Sequence, residues 1–149
     1  MAPTSHPRPT GMAVLAFVLL WFSLSAVGNL FVSSSMRSLA YFPPGSPAAS
    51  FAKAVASPLF VMLVACYGLA ALVAAVATWR MSSWAPRAFL CWSVAAVALG
   101  TFFLAVVPTE LLWGGRPAAA AVVLGVAVAL WFVYRYVRRV TYGGASAAL

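Results

Sequence analysis

Charge is missing from four long stretches of this chain, and that gap constrains the fold more than any motif. Residues 12–32, 54–79, 88–107 and 118–134 contain no Asp, Glu, Lys or Arg. A helix needs about 20 apolar residues to cross a hydrocarbon core about 30 Å thick. Each stretch is of that order, and none alternates strictly between apolar and polar as a barrel strand would. Helices also satisfy their own backbone hydrogen bonds, which lipid cannot do for them. The chain as a whole has only 7% charged residues, against about 25% in soluble domains. Too few polar side chains remain to cover a water-facing surface. The expected fold is an all-α membrane protein, with four transmembrane helices in an antiparallel bundle.

The expected spans are 12–32, 54–79, 88–107 and 118–137, forming one domain over 12–139. Residues 1–11 read as a disordered tail and 140–149 as a flexible one. A signal peptide is the competing reading of the first block, with Arg8 in its basic region and a small-residue site near 23–26. The apolar run continues through Val27, Leu30, Phe31 and Val32, which favours a retained span.

Turn residues set the connections. Residues 41–50, "YFPPGSPAAS", carry Pro-Pro-Gly followed by Ser-Pro. Ser46 reads as an N-cap with Pro47 in the first turn. A helix from there is expected to reach Trp79 with a kink at Pro58. The link "RMSSWAPR" is short, which makes the helices on either side antiparallel neighbours. After the third span, Thr109 is expected to cap a brief turn that Gly114 and Gly115 end.

Arginine placement predicts the threading. Arg8, Arg80, Arg87, Arg135, Arg138 and Arg139 fall on one side, and Arg37, Lys53 and Arg116 on the other. The positive-inside rule then puts both termini in the cytoplasm. Eight of the nine basic residues are arginine and alanine is abundant, a high-GC bacterial coding bias that, with the apolar spans, makes a bacterial inner membrane the expected location. The net charge of +8 is scattered between apolar blocks and does not form a nucleic-acid stripe. Its expected partner is the anionic headgroup layer, with Arg135, Arg138 and Arg139 as the anchor.

Inside lipid, small residues bring helices together. Ala121, Gly125 and Ala129 recur every four residues, as do Ala96 and Gly100. Both rows are expected to be packing seams, and Gly28 a point of close approach. Cys66 and Cys91 lie at depths that differ by roughly 15 Å at about 1.5 Å per residue, beyond the roughly 7 Å a disulfide spans. They read as small packing residues.

Chemistry is scarce. His6 is the only histidine, Glu110 the only acid, and there is no Cys-x-x-Cys or Walker-type loop. Neither a metal site nor a bound cofactor is expected, and no catalytic residue is assigned. Glu110 is the natural suspect for a transport role. It follows Pro108 and Thr109 at the edge of a span, where the cost of a charge is small. Paired with Arg116 or Arg37 at the surface it contributes about 0–1 kcal/mol. Asn29, near the end of its span, reads first as a hydrogen-bonding contact between helices and second as part of a polar path. The expected function is an accessory, assembly or structural subunit of a membrane complex, its partners other membrane subunits or itself. The alternative is a small oligomeric transporter or channel with Glu110, Arg116, Arg37 and Asn29 at its outer mouth.

Overall fold

A computed structural model describes residues 9–35, 42–109, 112 and 114–146. The described residues form five helices and no strand: α1 (Thr10–Ser35), α2 (Pro47–Val55), α3 (Pro58–Trp79), α4 (Ala85–Val106) and α5 (Gly115–Ser146). Four of them, over Thr10–Ser33, Pro58–Trp79, Ala85–Val106 and Gly115–Tyr142, are long and apolar enough to cross a membrane. Their outer faces carry large apolar side chains that water would not tolerate. Trp21, Phe31, Leu69 and Leu124 are all about two-thirds exposed or more.

Proline 58 breaks the chain where a kink was expected. Residues 47–79 form two helices, because the Ser-Pro signature at 46–47 recurs at 57–58. The Ser46 hydroxyl accepts from the Ala49 N–H at 3.1 Å, and the Ser57 hydroxyl accepts from the Phe60 N–H at 3.2 Å. In both cases proline occupies the first turn, where its missing N–H costs nothing. Ser33 of α1 holds the junction from the side: it is fully buried and its hydroxyl donates to the Val55 carbonyl at 2.7 Å. A buried hydroxyl in lipid has no water to turn to, so this bond fixes α2 against α1.

The packing follows a 4-3 repeat. On α1 the buried residues are Met12, Ala16, Leu19, Ser23, Ala26 and Ser33, with half-buried Leu30 completing the row. On α3 the row runs through Val64, Gly68, Ala71, Ala75 and Thr78. Spacing of 3.5 residues keeps one seam of a helix facing its neighbour along its whole length. Both rows are rich in Ala, Ser and Gly, so the backbones come close. A Cβ placed on Gly68 would lie 2.8 Å from the Ala26 Cβ.

Three apolar clusters stack along the bundle. Met12, Ala85 and Val137 meet at one end, with Ala77 and Met81 packed against them. Leu19, Ala71, Ala74, Phe89 and Trp92 fill the middle. Ala26, Val55, Phe60 and Val64 close the other end, with Phe102 and Phe103 of α4 beside them. Val137 is the only buried residue among the described side chains of α5. That helix lies at the edge of the bundle and packs on α4 and, near its C-terminus, on α1. It also continues to Ser146, through a segment expected as a flexible tail. The Tyr142 hydroxyl donates to the Ser83 carbonyl at 3.2 Å and ties that extension to the α3–α4 link.

The link is tight. Ser82 N–H donates to the Ala77 carbonyl at 3.0 Å and Met81 N–H to the Thr78 carbonyl at 3.2 Å, the paired bonds of a Schellman ending. Glycine usually takes the left-handed position of that motif. Here Met81 takes it, with φ of 50°. Its side chain packs into the cluster at the helix ends, which accounts for a residue with a Cβ at a strained position.

Candidate functional site

The residues expected at the outer mouth separate into two groups. Asn29 is exposed on α1, and Arg116 is exposed in the first turn of α5. Arg37 and Glu110 lie outside the described residues. The turn expected after Thr109 is seen at its edges, where Leu112 N–H donates to the Thr109 carbonyl at 3.2 Å and Gly115 N–H to the Leu112 carbonyl at 2.9 Å. Gly114 and Gly115 both have positive φ, near 75°, and reverse the chain into α5.

The expected packing residues also divide. Ala96 is half-buried on the 4-3 row of α4, which runs Phe89, Trp92, Ala96, Leu99 and Phe103. Gly100 faces α5, where a Cβ would sit 3.5 Å from a Val123 methyl. Gly28 is exposed, and a Cβ there would meet nothing within 4 Å. Ala121, Gly125 and Ala129 are all exposed as well. The row that α5 turns toward the bundle is Val123, Ala127, Leu130, Tyr134, Val137 and Thr141, each partly or fully buried. Gly125 is two residues from Val123, about 200° round the helix, and so faces away. Within one chain the small-residue row of α5 is an outer face, because the bulkier row fills the gap to α4. Cys66 and Cys91 are free and exposed on their helices, in place of the packed positions expected for them.

Five of the seven described basic residues gather at one end. Arg80 caps the C-terminus of α3, Arg87 sits in the first turn of α4, and Arg135, Arg138 and Arg139 lie near the end of α5. All five are exposed. The helix dipole favours Arg80 at the α3 end and opposes Arg87 at a helix start, each by about 0.3–1 kcal/mol. Arg87 offsets its disadvantage by stacking on Trp84, with the guanidinium carbon 5.4 Å from the ring centroid. An exposed contact of that kind contributes about 0.5–1 kcal/mol, a similar size. Nine cations share a sequence with one acidic side chain, so at most one of them can pair with an acidic side chain of this sequence.

Aromatic rings fill the centre. Trp92 lies 5.5 Å from Phe22, 6.1 Å from Tyr67 and 5.4 Å from Phe89, centroid to centroid. These rings join α1, α3 and α4. Among the described residues, no group of three His, Cys, Asp or Glu side chains comes together to hold a metal ion. The sequence offered no sign of the row that packs α1. Four of its seven residues are small and three are Met or Leu, and in a helix apolar on all sides hydropathy does not mark them.

No family model matches the chain, and no match is found among curated proteins or solved structures.

Proposed function

We propose that the protein is a small multi-pass subunit of a larger membrane complex, with an accessory, assembly or structural role and no catalytic site of its own. The reading places it in a bacterial inner membrane with antiparallel spans and both termini cytoplasmic. Contacts support the antiparallel arrangement. Phe17 near the start of α1 meets Trp79 at the end of α3, at 5.6 Å, and Phe60 at the start of α3 meets Phe103 near the end of α4, at 5.6 Å. The arginine-rich end supports the orientation, through the attraction of basic residues to the cytoplasmic side.

The observation that carries the subunit role is the outward face of α5. Ala121, Gly125 and Ala129 form the kind of surface that lets another helix approach closely, and this chain turns it away from its own bundle. A helix of a partner subunit fits it.

Gentle extraction followed by mass measurement of the intact particle tests the reading. A foreign subunit in fixed stoichiometry is the expected result. Gly125→Leu should release that subunit while the chain's own stability stays within about 0.5 kcal/mol, because the new side chain meets open space. A particle made of this chain alone would remove the subunit role and move the weight to an oligomeric carrier centred on Glu110.

A further inference from the structure

A groove between α1 and α3 opens toward the lipid at the arginine-rich end. Its volume is about 390 Å³. Ala16 and Ala75 make its floor, both almost fully buried, and their short side chains create the depression. Phe17 and Leu20 form one wall, Leu72 and Val76 the other. Along α3 the groove runs from Leu72 to Arg80, which at about 1.5 Å per residue is about 12 Å. Trp79 leans on Phe17 edge-to-face at 5.6 Å and stiffens the end nearest the membrane surface. Arg80 closes the groove at that same end, with its aliphatic stem in the lining and its exposed guanidinium outside it.

We propose that this groove binds an anionic diacyl phospholipid, with one acyl chain along Leu72–Trp79 and the phosphate on the Arg80 guanidinium. The apolar lining suits a hydrocarbon chain and excludes a polar solute. Charge complementarity selects the headgroup. Glu110 is the only acidic side chain in the sequence and comes after the end of α4, and no Asp or Glu stands beside Arg80 among the described residues. Guanidinium also matches phosphate geometry with two parallel N–H donors. Two other hollows each have one feature without the other. The groove lined by Leu90, Val94, Ala127 and Trp131 between α4 and α5 has no cation, and the hollow with Lys53 is lined by Pro44, Gly45 and Ser50 in place of an apolar trench.

Native mass spectrometry of the full chain in mixed micelles tests this, with phosphatidylglycerol and phosphatidylcholine of the same acyl chains at equal amounts. One phosphatidylglycerol should be retained in preference to phosphatidylcholine. Arg80→Gln should weaken that retention about fivefold, the effect of one basic residue at an anionic surface. Val76→Trp, which fills the groove from its exposed wall, should remove the lipid with Arg80 intact. Lys53→Gln should leave retention unchanged, and glycerol 3-phosphate should not displace the lipid. Equal retention of the two lipids, or full retention by Arg80→Gln, would overturn the proposal. So would displacement by glycerol 3-phosphate, which would mark a bare anion site, or a lipid-free dimer, which would put a second chain in the groove.

Discussion

Gly68→Leu is expected to separate α1 from α3 and to destabilise the bundle by about 1–3 kcal/mol, the usual range for overpacking. The Cβ alone would stand 2.8 Å from the Ala26 Cβ, and Ala26 is fixed to a helix with no flexible stem to move aside. Three further carbons have no place to go. Parting the helices at this point also loosens the row from Met12 to Ser33, since every contact in it depends on the same close approach. Lipid supplies no hydrophobic force to push the helices back together. Gly28→Leu is the matched control: its Cβ meets nothing within 4 Å, so its effect should stay within about 0.5 kcal/mol. Reversible unfolding in mixed detergent micelles reads both. Equal effects at the two glycines would show that α1 and α3 do not touch where the structure joins them.

Phe89→Ala should cost a comparable amount. Phe89 is fully buried in the central cluster and stacks 5.4 Å from Trp92. In a water-soluble core this truncation costs about 3–5 kcal/mol, from lost transfer plus a cavity. Lipid solvates a phenyl ring nearly as well as the protein interior does, so the transfer part largely cancels. Dispersion contacts and the unfilled space remain, and about 1–3 kcal/mol is expected. Phe132→Ala removes the same ring from a position that is mostly exposed to lipid, and should cost less than about 0.5 kcal/mol. The same unfolding measurement checks the pair. A Phe132 variant as damaging as the Phe89 variant would place α5 the wrong way round.

The spans were legible in the sequence because the signal is one of length and missing charge, and both are strong. The helix packing was not legible. Along α1 nearly every residue is apolar, so periodicity in hydropathy vanishes, and Ala16, Ser23, Ala26 and Ser33 are marked only by size. On α5 the search for small residues at every fourth position found Ala121, Gly125 and Ala129, a face that points outward. The face that packs carries Leu130, Tyr134 and Val137, whose bulk fills the wider gap to α4 and α1. Pro58 was read as a kink because proline alone allows either outcome. Ser57 before it decides for a break, as Ser46 does before Pro47. Of the expected mouth residues, Asn29 and Arg116 lie on exposed surface, while Arg37 and Glu110 fall outside the described residues. The arginine-rich end was legible from charge alone. The groove beside Arg80 was not, because it depends on which alanines of α1 and α3 meet.

A membrane subunit of this kind requires four crossings, with the α3–α4 link on the cytoplasmic side. Single cysteines placed at Pro44 and at Ser83, in a chain carrying Cys66→Ala and Cys91→Ala, test that directly; both positions are exposed and lie in the links before α2 and between α3 and α4. In intact cells a membrane-impermeant maleimide should label Pro44→Cys, and should label Ser83→Cys only after the membrane is opened. Labelling of Ser83→Cys in intact cells, with Pro44→Cys protected, would invert the threading. Labelling of both would contradict the crossing itself.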